Sequence, residues 1–342
     1  MSLNETDCQI MAEIATSSFL RTVLSTTTFL CICCIPFCLN FAWLIIHETR
    51  LHFNSKCIFV TFNISVLVHV SVRIILHGKD FLNYVGPWQN GCELFPDRSR
   101  CDLRKLYKLS AFAIEVTPFV LTVERFIATF RASNYENRYK WCGGLLTGFH
   151  VCLSMFLFSL HSSGKAGKAI IYYCWVSSTD NQSMRTIPIL IVVVSQLITI
   201  PGLLYLLRKN ERFRALSFQK RSTLSQRYQL SENLQTLTKF RIVSAVTWTF
   251  VTYNAAATFG VYLFSDAWSY AEEFAVIEIV HCLPLYYLIL AACLIIEDKK
   301  HRNQNIIKVN NYEPQYFNHL QAFFDEAFEI VKSRSRKVKI PK

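Results

Sequence analysis

The 342-residue chain is short of charge, glycine and proline. Asp, Glu, Lys and Arg together make up 18% of it, against roughly 25% in an ordinary soluble domain. Glycine occurs 10 times and proline 9 times, which excludes a collagen-like chain and a low-complexity disordered one. Residues 1–21 lack the basic segment ahead of a short apolar core that marks a secretory leader, so a cleaved signal peptide is not expected. Clustered acids and histidines at metal spacing are missing too; His69, His150, His161 and His281 are scattered. No enzymatic activity, cofactor or metal is therefore expected.

What the chain does have is hydrophobic residues, at 52%, gathered into seven long runs. These lie near 22–46, 57–77, 106–130, 142–161, 187–207, 241–264 and 274–296. At 1.5 Å rise per residue each is long enough to cross a hydrocarbon layer of about 30 Å. Ile187-Pro188-Ile189-Leu190-Ile191-Val192-Val193-Val194 would pass for a buried strand by itself, but the run extends between Arg185 and Arg208. The expected fold is an all-α membrane protein, a seven-transmembrane helix bundle. Residues 1–21 form an extracellular N-terminus, 22–296 the bundle and 297–342 a cytoplasmic tail.

The net charge of +12 does not point to nucleic acid, because the cations are distributed by side. Segments 47–56, 131–141, 208–239 and 297–342 hold 2, 3, 8 and 10 Lys and Arg, against about 10 in the alternate set with its helix lips. By the positive-inside rule the first set is cytoplasmic and the N-terminus is outside. The basic face then meets anionic membrane lipid and cytosolic partners. The sequons Asn4-Glu5-Thr6 and Asn181-Gln182-Ser183 fall on the outer side, whereas Asn63-Ile64-Ser65 is inside the second run.

Of thirteen cysteines, Cys8, Cys92, Cys101 and Cys174 lie outside the spans on the side that is oxidising. Four cysteines allow three pairings. A Cys101–Cys174 bridge would tie the loop after the fourth run to the start of the third, which leaves Cys8 and Cys92 as the remaining candidates. Cys31-Ile32-Cys33-Cys34 sits within a span, where a thiol behaves as a small apolar residue.

The costliest residues are charges inside the runs. Glu124-Arg125 stands at the inner end of the third, where a carboxylate can hold a guanidinium while the Arg stem reaches toward water. Seven spans with this pair at the foot of the third is the layout of a G-protein-coupled receptor; the plainer reading makes Arg125 an interfacial anchor. Arg73 and His69 in the second run, Glu115 in the third, and Glu278 with His281 in the seventh are ligand-pocket candidates. Arg73 or His69 pairing with Glu115 is the structural alternative. Tyr253 and Asn254 are weaker candidates, since helix–helix hydrogen bonding also accounts for them.

Glu124-Arg125-Phe126-Ile127-Ala128-Thr129 followed by Tyr135-Glu136 resembles the end of the third span in nematode chemoreceptors of serpentine receptor class alpha/beta, relatives of classes alpha and epsilon. Cys8 ahead of Ser17-Ser18-Phe19-Leu20, Leu51-His52-Phe53-Asn54 and Arg73-x-x-x-His77-x-x-Asp80 extend the resemblance over nearly the whole chain. It implies a plasma-membrane chemosensory receptor of sensory neurons, with a small-molecule or peptide ligand outside and a heterotrimeric G protein inside. Glu124 and Arg125 would then form the latch.

The larger rhodopsin-like pattern is only partly present. No Asp lies within 57–77, Trp248 has no proline after it, and Leu283 precedes Pro284-Leu285-Tyr286-Tyr287. Pro284 should kink the seventh helix, so that Tyr287 could swing with Arg125.

A seven-span ligand-gated channel or transporter is the alternative. It would call for inverted repeats, broken Gly-rich helices or a charged ring, and the sequence supplies none of these. The basic third inner loop with Lys220-Arg221 is read as extending the fifth and sixth helices into the cytosol. Glu297-Asp298-Lys299-Lys300-His301-Arg302 reads as a membrane-surface helix, 316–331 as a second amphipathic stretch, and Lys332–Lys342 as a basic tail that is solvated or lies on lipid.

Overall fold

A computed structural model describes residues 5–47, 52–131, 140–162, 172–174, 182–219, 224–264, 267–297, 299–300 and 321. Both sequons' asparagines, the Tyr135-Glu136 pair, Lys220-Arg221 and nearly all of the tail readings lie outside these residues. The described residues contain helices and turns and no strand.

The helices are α1 (Glu5–Thr16), α2 (Ser18–His47), α3 (Phe53–Val85), α4 (Arg98–Phe130), α5 (Lys140–Ser162), α6 (Gln182–Gln219), α7 (Leu224–Phe264), α8 (Tyr270–Val280) and α9 (283–297), with a 3₁₀ turn at Gly91–Leu94. Helices α2 to α7 are the first six spans, and α8 with α9 makes the seventh. Six of the seven are long and apolar enough to cross a membrane by composition alone. The other is α7, whose buried and half-buried positions carry Ser244, Thr247 and Asn254. Its hydroxyls and amide lower its mean hydropathy.

Compact unit Met1–Ala291 contains α1 to α8 and the first part of α9, and Ala292–Lys342 forms a second unit. In the first unit α4 is central. It packs on α3, α5, α6 and α7, and the ring closes through α8 against α2. The burial pattern is that of a membrane protein: Phe29, Ile46, Leu145 and Phe259 are exposed, while Arg73, Asp80 and Glu124 are buried. Apolar side chains facing outward suit lipid, and the polar ones are satisfied inside. The protein is a multi-pass membrane protein.

Helix ends differ from the apolar runs wherever charge faces inward. Helix α3 runs eight residues past 77 and α4 starts eight before 106, which brings Asp80, Arg100 and Arg104 into the bundle. The second span thus does bury an Asp. Helices α6 and α7 extend well beyond 207 and before 241, so both flanks continue as helix. Trp248 is 37% exposed and points out of the bundle, away from any toggle position.

The N-terminal segment is more than a polar leader to the first span. Met11, Ile14 and Ala15 share one face of α1 at helical spacing and pack on Tyr84, Leu94, Tyr173 and Phe274. Helix α1 therefore covers one end of the bundle. The Cys8–Cys92 disulfide pins it to the 3₁₀ turn, where a side chain at Gly91 would collide with the Cys8 carbonyl. Arg21 ties the corner, donating to the Ala15 carbonyl at 2.7 Å and the Tyr84 carbonyl at 2.6 Å.

Candidate functional site

Two buried polar assemblies occupy opposite ends of the bundle. At the end away from the disulfides, Arg125 donates to Glu124 through Nε at 2.5 Å and Nη2 at 2.6 Å. This is the bidentate pairing that fixes a guanidinium in direction as well as in distance. Arg125 Nη1 also donates to Asn233 Oδ1 on α7 at 2.9 Å, and Nη2 to Ser55 Oγ on α3 at 2.8 Å. Ser55 donates in turn to Glu124 at 3.2 Å. Asn233 Nδ2 donates to Thr129 at 3.1 Å and to Asn210 Oδ1 on α6 at 2.8 Å, while Asn210 Nδ2 donates to Thr129 at 3.0 Å. All six side chains are buried, so the pair clamps α3, α4, α6 and α7 together at this end. On the flank, Asn54 accepts from the Gly143 N–H at 3.0 Å, and a side chain at Gly143 would meet the Asn54 Cα at 2.8 Å.

The sequence identifies Glu124 and Arg125, and the structure adds Ser55, Thr129, Asn210 and Asn233. Neutral polar residues in long helices carry little signal, since any of them could bond to its own helix backbone. Tyr287 is placed elsewhere. Its hydroxyl donates to Asn63 Oδ1 at 3.3 Å, eight residues along α3 from Ser55, which is about 12 Å by helical rise.

At the disulfide end the hub is Glu278. One carboxylate oxygen accepts from Arg104 at 3.2 Å and from Tyr173 at 3.3 Å; the other accepts from Arg73 at 2.7 Å and lies 3.3 Å from His77 Nε2. Asp80 accepts from Arg104 at 3.1 Å and from Arg100. Thr27 holds the other His77 ring nitrogen at 3.0 Å. Arg73 therefore pairs with Glu278 and not with Glu115, because Glu278 projects from α8 toward the face of α3 that carries His69, Arg73, His77 and Asp80 at spacings of three and four. Arg100, Arg104 and Lys108 form the matching row on α4, four residues apart. That spacing is legible in the sequence, but the apolar run starts at 106 and separates Arg100 and Arg104 from Lys108.

Arg73 has a second role. Its Nη1 donates to the His281 carbonyl at 2.8 Å and its Nη2 to the Glu278 carbonyl at 3.0 Å. The seventh span breaks at His281–Cys282, just ahead of Pro284, which has no N–H to carry the helical ladder across. The expected kink is thus a full interruption, and the guanidinium satisfies carbonyls that the break frees. Across it, Tyr286 shares a 2.8 Å hydrogen bond with Thr247 on α7.

The second disulfide, Cys101–Cys174, seats Tyr172 and Tyr173 beside this network. Tyr173 stacks on Phe274 at 4.6 Å and accepts the Arg104 guanidinium over its ring at 3.6 Å. Tyr172 donates to Asp7 of α1 at 2.8 Å; burial first, then that bond, pushes its hydroxyl up to about 12. Asp97 caps α4, and the Arg100 N–H and the Ser99 hydroxyl that it accepts hold its carboxyl below the usual range.

Next to this network lies a cavity of about 60 Å³, lined on one side by Lys108, Phe112, Glu115 and His281 and on the other by Val192, Val251 and Asn254. Of the ligand-pocket candidates, Glu115 and His281 line it, as does the weaker candidate Asn254. Arg73 and Glu278 belong to the ion network, and His69 is buried against Tyr107 at 4.4 Å with Ser110 at 3.3 Å. Lys108 lines the cavity without having been a candidate. Among the described residues no group of His, Cys, Asp and Glu is arranged to hold a metal.

No curated protein matches the chain. A family model for the serpentine type 7TM GPCR receptor class ab chemoreceptor matches residues 5–332. With nearly its whole length matched, the chain belongs to this chemoreceptor family of G-protein-coupled receptors.

Proposed function

We propose that the protein is a chemosensory receptor that binds an external small molecule or peptide at the disulfide end and activates a heterotrimeric G protein at the Arg125 end. The single observation that carries this reading is the closed Glu124–Arg125 assembly. One guanidinium on α4 is bonded to α3 and α7 as well as to its neighbour Glu124, so parting these helices breaks its bonds to Ser55 and Asn233. A buried, fully bonded cation that only a rearrangement can expose is a two-state element, and a ligand bound elsewhere in the bundle can bias it.

Charge supports the orientation. Segments 47–56, 131–141 and 208–239, rich in Lys and Arg, follow or precede the helix ends nearest Arg125, and by the positive-inside rule that end faces the cytosol; the disulfides then lie on the oxidising side. Asn4 and Asn181 would be glycosylated there. Plasma membrane of a sensory neuron is the location this reading implies, with 1–21 outside and 297–342 in the cytosol. Neither nucleic acid nor a catalysed reaction has a place in it.

The test is a screen of odorants and peptides in cells that express the receptor with a promiscuous G protein. A hit should raise G-protein turnover in wild type and leave Arg125→Ala silent at equal surface level. A response that survives in Arg125→Ala would overturn the assignment.

A further inference from the structure

We infer that the cavity beside Asn254 is a site for a short neutral alcohol; this deepens the receptor reading and rests on it. Two helices supply most of the wall, each from one face. Lys108, Ala111, Phe112 and Glu115 of α4 repeat the spacing of Val251, Asn254, Ala255 and Thr258 of α7, and residues three, four and seven apart lie along one stripe of a helix. On α7 the Asn254 amide therefore stands between the apolar Val251 and Ala255, and α6 adds Ile189 and Val192.

Charge favours a neutral occupant. Lys108 and Glu115 are opposite in sign and attract each other along α4, so each already has a counter-charge in the wall. A charged ligand would be drawn to one and repelled by the other. It would also have to leave its hydration shell for a cavity whose surface is mainly apolar, which is expensive.

Asn254 supplies the polar contact. The residue is more than nine-tenths buried, and its Oδ1 has no hydrogen-bond partner among the described residues. A buried carbonyl oxygen left unpaired is costly, and a group that donates to it recovers the loss. A half-turn about χ2 exchanges this oxygen with Nδ2, which donates. A hydroxyl both donates and accepts, so it satisfies the amide in either orientation; an ether only accepts, and a hydrocarbon does neither. The volume of about 60 Å³ holds roughly five water-sized groups, which fits a hydroxyl on a chain of about four carbons. The tail then lies against Phe112, Val192 and Val251.

The cavity is also placed to act on the opposite end of the bundle. Its walls come from α4, α6 and α7, and Arg125, Asn210 and Asn233 tie the same three helices together there. An alcohol that bridges the α4 and α7 walls thus bears on the helices whose parting opens that assembly.

Full-length receptor in lipid nanodiscs is titrated by saturation-transfer NMR, with the signal of empty nanodiscs subtracted. The ligands are matched in size: butan-1-ol, its isomer methyl propyl ether (which lacks the donor), and the ions propionate and butylammonium. Butan-1-ol should bind at least about fivefold tighter than the ether, the value of one hydrogen bond, and neither ion should displace it. Asn254→Leu keeps the size and removes the amide; it should bring butan-1-ol down to the level of the ether and leave the ether unchanged. Thermal melting checks that the variant folds; if it does not, the ranking in wild type decides. No binding of butan-1-ol, ether binding as tight as butan-1-ol, displacement by either ion, or an undiminished preference in folded Asn254→Leu overturns the site. G-protein turnover separates the two readings. Butan-1-ol that binds without changing turnover leaves the site standing and counts against the receptor role. Turnover driven by other chemicals, with no butan-1-ol binding, does the reverse.

Discussion

Arg125 draws its partners from three helices, and each partner contributes differently to the closed state. Glu124 supplies the charge. Its replacement in Glu124→Gln leaves a neutral acceptor, and losing about 1.4 kcal/mol of a bond made only in the closed state shifts the populations about tenfold. Basal G-protein turnover should rise by that order at unchanged surface expression. Asn233 supplies the link to α7, accepting from Arg125 and donating to Thr129 and Asn210. Asn233→Leu leaves a guanidinium N–H unpaired in the closed state, where a hydrogen bond to a charged group is worth roughly 1.5–3 kcal/mol. It too should raise basal turnover, by tenfold or more. If these residues only held the fold together, both variants would lose surface expression in step and neither would gain basal activity. Comparing surface level with basal turnover decides between the two.

The seventh span shows how a broken element is held. Helix α8 starts from a full capping box, Ser269 with Glu272, so its N-terminal end is self-sufficient; its C-terminal end depends on Arg73. Arg73→Met removes donors from two carbonyls and from one oxygen of Glu278. Stripping one partner from a buried ion pair costs about 3–5 kcal/mol, and the melting temperature in detergent should fall accordingly. Adding Glu278→Gln should recover part of the loss, since the unpaired charge is then gone; a purely additive double variant would show that Arg73 acts through the carbonyls alone. The loop element has its own anchor. Cys101→Ala with Cys174→Ala should cost on the order of 2–5 kcal/mol and reduce surface level, because Tyr173 would no longer be held on Phe274 and Arg104. Peptide mapping that finds both thiols free in folded receptor would refute this. The sequence made this element only half visible. Pro284 announces a bend, but the place of the break depends on Arg73, more than two hundred residues away, and no local pattern carries that information.

At the scale of the molecule, hydropathy located the seven spans but clipped those whose charges face inward. Asp80, Arg100 and Arg104 look like helix lips because a hydropathy window averages over all faces of a helix, whereas the bundle buries only one. The same averaging hid α1, whose apolar face of Met11, Ile14 and Ala15 is too short to register as a run. The buried assembly around Arg125 was half legible for a related reason: charge in a span is conspicuous, but its neutral partners are not. The distribution of charge outside the spans makes the remaining claim, which is topology. Segments 47–56, 131–141, 208–239 and 297–342 hold most of the Lys and Arg, and moving them across a membrane would work against the positive-inside bias. A tag at Met1 should therefore be accessible to antibody on intact cells, and one at Lys342 only after permeabilisation. The opposite staining would place Arg125 outside, where no G protein could reach it, and would sink the receptor mechanism however well its residues are bonded.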